Sequence, residues 1–259
     1  MRFIRQILSD FKGIVKVCGF AKAIKWLFFI LLTLPECIKR KNLQPADRRF
    51  GEGPIKVKSD YGYVILLGGQ IFSSIREIWV RNVYLQNDFI QIPDSGVVVD
   101  LGANVGAFTM LALANSKSCK VIAVEPNAGL NKLFLRQVSY NNFDNRVSLQ
   151  RYFIGSSSTK QKEMLNDPAS KDAQFITQKE FIELNKFSRI DFLKCDIEGS
   201  EFDFINDTSL LQITNQLAIE IHDFSGDRNI FIKKLKELGF NIGPIKDDQG
   251  SCIVLAKKL

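Results

Sequence analysis

Val97-Val98-Val99-Asp100-Leu101-Gly102-Ala103-Asn104-Val105-Gly106 decides the fold. An unbroken β-branched run such as Val97–Val99 suits a strand buried on both faces, as in parallel sheets. An acid closes it, a turn with Gly102 and Gly106 follows, and helix-type residues run from Phe108 to Ala114. Glycine permits a tight turn and a close approach of backbone to a ligand. Strand, glycine turn and helix open a doubly wound α/β sheet, whose ligands bind beyond the carboxyl ends of the strands. Working outward, Val121–Val124 is a second buried strand and Leu130–Tyr140 a second helix. Val147–Phe153, Ile190–Cys195 and Leu217–Ile221 read as strands three to five. Asp227 caps a helix with Ile230, Phe231, Leu235 and Leu238 on one face and Gly239 just past its end. Phe240–Ile245 and Ser251–Lys257 form a closing antiparallel pair around Asp247-Asp248-Gln249-Gly250. Upstream, Ile55–Lys58 and Tyr63–Leu67 read as a hairpin and residues 71–92 as a helix. Residues 155–175, with Ser156-Ser157-Ser158, read as a mobile loop or insertion. The expected organisation is a helical extension (1–49), a hairpin and helix leading into the core (50–95), and a cofactor-binding domain (96–259).

The chain has 259 residues, 46% hydrophobic and 24% charged, which excludes collagen-like and wholly disordered classes. Its net charge of +7 is unevenly placed. Residues 1–49 hold eleven basic and three acidic residues, +8, which leaves 24 basic and 25 acidic residues, −1, in the body. A neutral body argues against a nucleic-acid groove. The five cysteines are odd in number and contain no Cys-x-x-Cys pair, so a reducing, cytoplasmic setting is expected. His222 is the one histidine, which excludes a His-rich metal site; no metal ligand is assigned.

On a helical wheel, Ile4, Ile7, Leu8, Phe11, Ile14, Val15 and Cys18 share an arc opposite Arg2, Arg5, Lys12 and Lys16, a basic amphipathic helix. The apolar run from Trp26 to Leu34 would span about 14 Å as a helix, against about 30 Å of bilayer core. It is too short to cross, and it starts too far from Met1 for a signal peptide. Residues 1–41 therefore read either as a peripheral contact with the inner membrane face or as helices packed on the body or on a second subunit.

The turn also constrains the ligand. Asp100 stands at the strand edge, and Glu125 ends the second strand, where a carboxylate can accept both hydroxyls of a ribose. A P-loop is excluded by the missing Gly-Lys-Ser/Thr. A pyrophosphate beside Asp100 would be repelled, whereas the sulfonium and ammonium of S-adenosylmethionine suit it. Asp100, Gly102, Asn104, Gly106 and Glu125 are thus the expected cofactor-binding residues.

VVVDLGANVGAFT (97–109), VIAVEPN (121–127), IDFLKCDIEGSEFDFI (190–205) and LAIEIHD (217–223), in this order, resemble the FkbM family of S-adenosylmethionine-dependent methyltransferases. The resemblance covers residues 75–257 and leaves the N-terminal 50 residues outside. It implies a class I methyltransferase fold, a seven-stranded sheet of order 3-2-1-4-5-7-6 with strand 7 antiparallel. It also implies O-methylation of a hydroxyl on a sugar, polysaccharide or secondary metabolite.

Methyl transfer needs alignment, exclusion of water, and a group to take the proton from an alcohol. Asp196 and Glu198 follow strand four, and His222 ends strand five at the same sheet edge; these are the catalytic candidates. Lys194, inside strand four, is read as the structural partner of a carboxylate. No Asn/Asp-Pro-Pro-aromatic motif follows strand four, which argues further against nucleic-acid methylation. The competing reading is a catalytically inactive methyltransferase fold that serves as a membrane-recruited binding module.

Overall fold

The computed structural model describes residues 2–51, 53–68, 71–86, 88–155, 159–248 and 250–258. Glu52, Asn87, Ser156–Ser158 and Gln249, which fall in turns, a helix and a loop read from the sequence, lie outside them. Four helices come first: α1 (Arg2–Cys18), α2 (Phe20–Leu32), α3 (Leu34–Arg40) and α4 (Gln44–Arg48). A hairpin follows, β1 (Ile55–Ser59) and β2 (Gly62–Leu66), then α5 (Ile71–Ser74), which runs into a π-helix at Ile75–Val80. The alternating part contains β3 (Val97–Leu101), α6 (Ala107–Ala114), β4 (Lys120–Val124), α7 (Ala128–Tyr140), β5 (Val147–Gln150), β6 (Tyr152–Ile154), α8 (Thr159–Met164) and β7 (Gln174–Ile176). It ends with α9 (Gln178–Asn185), β8 (Ile190–Cys195), α10 (Glu201–Phe204), α11 (Ser209–Gln212), β9 (Thr214–His222), α12 (Arg228–Glu237), β10 (Phe240–Asp248) and β11 (Ser251–Lys258).

The main sheet has seven strands in the order β10-β11-β9-β8-β3-β4-β5. In strand-number terms this is 3-2-1-4-5-7-6 read from the other edge. β3 pairs in parallel with β4 and β8, β8 in parallel with β9, and β11 runs antiparallel to both β9 and β10. Alternation along β3 shows why its apolar run is continuous. Val98 enters the core on one face of the sheet, while Val99 and Leu101 enter the core on the other. The carboxyl ends of β3, β4, β8 and β9 therefore carry Asp100, Glu125, Asp196 and His222 along one edge.

The N-terminal helices are part of this core. Ile14, Trp26, Ile30, Cys37 and Leu43 are buried in the same cluster as Val98, Phe108 and Phe192. Two buried acids fix them in place. Asp47 accepts from Arg76 Nη2 at 2.7 Å and from Trp26 Nε1 at 2.9 Å. Asp10 accepts from Arg76 Nη1 at 2.9 Å and Arg81 Nη2 at 2.7 Å.

Two segments differ from the sequence reading. The helix expected over 71–92 stops at Val80, where Arg81 ends the π-turns and Asn82 takes a left-handed conformation (φ 52°). Ile75, Arg76 and Trp79 are buried on this element, and Arg76 reaches the buried acids. The strand expected over 147–153 is broken at Arg151. Its guanidinium bonds the carbonyls of Pro126 and Ala169, and β6 leaves the main sheet to pair with β7. The 155–175 segment likewise contains α8 and leads directly into β7.

Candidate active site

Two glycines shape the turn after β3. Gly102 has φ 73°, and a Cβ there would lie 1.8 Å from the carbonyl oxygen of Asp196. Gly106 has φ 89°, and a Cβ would meet the Phe134 ring at 2.7 Å. Asn104 between them is left-handed (φ 51°) and donates its N–H to Glu125 Oε2 at 2.9 Å. Glu125 Oε1 accepts from the Asn127 N–H, also at 2.9 Å. Both carboxylate oxygens are thus oriented by backbone and each keeps accepting capacity. Burial raises the Glu125 pKa against the lowering effect of those two bonds.

Gly102, Asn104 and Glu125 line a cleft together with Tyr152, Ile197 and Met164. Asp196 and Glu198 also line it, and no Lys, Arg or His is among its described lining residues. Asp100 and Gly106 are not in the lining. Asp100 is fully buried behind the turn, where it accepts from Thr109 Oγ1 at 2.7 Å and faces Lys194 Nζ at 3.3 Å. Its part is to hold the turn. Lys194 bonds the carbonyls of Leu101 and Gly102 and lies 3.6 Å from Asp196. Burial alone would lower the pKa of this ammonium, but Asp100 and Asp196 outweigh it and raise it.

A second cavity lies on the other side of the turn, lined by Tyr84, Phe108, Lys194, Glu220 and His222. Gly102, Asn104, Asp196 and Glu198 line both spaces, so the two carboxylates stand on a shared wall. The Tyr84 hydroxyl is 3.1 Å from Asp196 Oδ2 and 3.1 Å from Glu220 Oε2. Burial, then the charge of Asp196, raises the Glu220 pKa. His222 Nδ1 sits 3.0 Å from Oε1 of the fully buried Glu201, and Nε2 is 3.8 Å from Glu198. The hydrogen bond to Glu201 lifts the imidazole pKa to about 9. Glu198 is left-handed (φ 54°), followed by Gly199, whose N–H donates to Glu201.

The structure therefore brings Asp196, Glu198 and His222 together and adds Tyr84, Glu220 and Glu201. Glu220 carries a readable signal: two residues before His222 on a strand, it shares that residue's face. Tyr84 carries none, because it lies in the irregular segment after the π-helix.

The cleft fits S-adenosylmethionine. It offers a backbone-oriented carboxylate for vicinal hydroxyls, apolar walls for a base, and a lining that carries acids but no described Lys, Arg or His, which suits a cationic ligand. This sheet order with such a cleft defines a class I methyltransferase, whose cofactor is S-adenosylmethionine. The chain belongs to the FkbM methyltransferase family; the family model, described as methyltransferase FkbM domain, matches residues 100–242. Methyltransferase 1 of Beauveria bassiana (strain ARSEF 2860) is 23% identical over 207 residues, 67% of this chain and 82% of that protein. Among solved structures, a methyltransferase FkbM from Methylobacillus flagellatus KT is 16% identical, with a TM-score of 0.47 over 72% of this chain and 54% of that one. The TrmK of M. capricolum in complex with S-adenosylhomocysteine is 13% identical, with a TM-score of 0.45 over 64% of each chain.

Proposed function

We propose that this protein O-methylates a hydroxyl group of a sugar, polysaccharide or secondary metabolite. The observation that carries this reading is the placement of Asp196 and Glu198 on the wall shared by the cofactor cleft and the second cavity. S-adenosylmethionine, when bound, supplies the activated methyl group. Glu125 would hold its ribose, and Asn104 would shape the wall beside it. The acceptor occupies the second cavity. Asp196 takes the proton from its hydroxyl, because it alone of the cluster faces both spaces and also touches a relay. The Tyr84 hydroxyl has one hydrogen to share between Asp196 and Glu220, and burial with the charge of Asp196 raises the Glu220 pKa. His222 at about 9 is protonated at neutral pH. We therefore assign it electrostatic support of the acceptor oxygen and of Glu198, instead of the base role open to a neutral imidazole. The five free thiols, four of them buried, suit a cytoplasmic setting.

Calorimetry with S-adenosylmethionine, followed by a screen of hydroxylated acceptors read as S-adenosylhomocysteine formed, tests the reading. Asp196→Asn should lower kcat at least about 100-fold, the usual scale for loss of a general base, while cofactor affinity holds. Wild-type turnover by Asp196→Asn would remove the assigned base. Absence of cofactor binding by the intact chain would favour the inactive binding module.

A further inference from the structure

The N-terminal helices present two apolar faces. One is the buried face of Ile14, Trp26, Ile30 and Cys37, locked to the body by the ion pairs of Asp10 and Asp47 with Arg76 and Arg81. The other is turned to solvent. Ile4 and Leu8 on α1, Phe20, Phe28 and Leu31 on α2, and Ile38 on α3 are each more than half exposed. Ile4 and Leu8 lie one turn apart, as do Phe28 and Leu31, and the Phe11 and Phe20 rings meet edge to face across the α1–α2 joint. Single exposed apolar residues are ordinary, but a grouped set marks an interaction surface.

The charge on this surface says what it meets. Arg5, Lys12, Lys16, Lys25, Lys39 and Lys41 are exposed. Of the segment's three acids, Asp10 and Asp47 are sequestered in the buried ion pairs and Glu36 is paired with Arg40 at 3.0 Å. The outward charge of these helices is therefore almost wholly positive. A second copy bound through the same patch would bring like charges face to face, since a two-fold contact uses one patch twice. No described helix is long and apolar enough to cross a membrane. Exposed apolar side chains and exposed cations carried on the same helices, which are too short to span, suit the interface of an anionic bilayer.

We propose that α1–α3 seat the protein on an anionic lipid bilayer. A broad open cleft runs from Phe3, Ile38 and Lys41 to Glu220 and His222. Ile38 belongs both to the outer apolar face and to this cleft, so the seated protein holds the mouth of the cleft at the lipid surface. The proposal goes beyond the assigned reaction, because partition is read without turnover.

The test is co-sedimentation of the full chain with vesicles of phosphatidylcholine and of its equal mixture with phosphatidylglycerol. The protein should sediment with the mixed vesicles and only weakly with phosphatidylcholine alone. Lys12→Gln with Lys16→Gln should weaken the partition about 25-fold, at about fivefold per basic side chain. Phe28→Ser with Leu31→Ser should abolish it and leave the thermal midpoint unchanged, since both side chains are exposed. Wild-type protein that stays in the supernatant would overturn the proposal, as would undiminished binding by the Phe28/Leu31 variant. A dimer that this variant dissolves, with vesicles left bare, would identify a self-association face instead.

Discussion

Gly102 is the residue with least tolerance. Its φ of 73° and the Asp196 carbonyl 1.8 Å from a would-be Cβ leave no room for alanine. Gly102→Ala should cost at least about 2 kcal/mol of stability and displace the Asp196 end of β8. Denaturant midpoints and cofactor titration would register both. Glu198 shows the opposite balance, a long side chain held left-handed at φ 54° beside the imidazolium. Glu198→Gly should stabilise the fold by about 1 kcal/mol while turnover falls, a trade that paired melting and kinetic measurements would show. His222 ties the site to pH. Its folded pKa of about 9 lies above the ordinary 6.5, so its contribution is complete below about 6.5 and is lost as pH rises through about 9. Unfolding midpoints followed from pH 6 to 10 should decline over that window, and His222→Gln should flatten the decline. An unchanged slope in the variant would mean that other groups carry it.

At the scale of elements, the buried pairs of Arg76 decide how α1 and α4 sit. Arg76→Met leaves the Asp47 carboxylate buried without its guanidinium, a loss of about 3–5 kcal/mol. Removing the half-exposed Arg40–Glu36 pair should cost less than about 1 kcal/mol. Urea titrations of the two variants make that comparison. Arg76 also shows where sequence reading stops. The strands of the main sheet are legible because burial on both faces imposes continuous apolar runs, and the glycine turn is legible because φ and close approach demand glycine. Glu125 and Asp196 follow from their positions at strand ends. The π-helix is not legible, because 3.6-residue periodicity carries no mark of an extra residue per turn, and the acids that its Arg76 meets lie 29 and 66 residues away. Tyr84 escapes for the same reason: in irregular backbone the direction of a side chain is set by tertiary contacts, here by Asp196 and Glu220. Arg151 breaks its strand through carbonyls 18 and 25 residues away, which local β-propensity does not register.

At the scale of the whole molecule, the charged N-terminal segment and the neutral body form one folding unit. The core that contains Val98 and Phe192 also contains Ile14, Trp26 and Leu43, and the buried Asp10, Asp47 and Arg76 with the partly buried Arg81 form ion pairs between the helices and the body. Removal of residues 1–49 would expose that apolar face and leave Arg76 without its carboxylates, so a truncated chain is a poor probe of membrane seating. The two tryptophans provide a direct test of unity, because Trp26 belongs to α2 and Trp79 to the π-helix, where its Nε1 donates to the Ala107 carbonyl of α6. Trp26→Phe and Trp79→Phe each leave one fluorescent reporter on one side of the junction. If the segment and body unfold together, each variant's fluorescence transition should coincide with the loss of its own circular dichroism. A reporter at Trp26 that melts ahead of the circular dichroism would instead divide the molecule into two units and make the N-terminal helices a separable attachment.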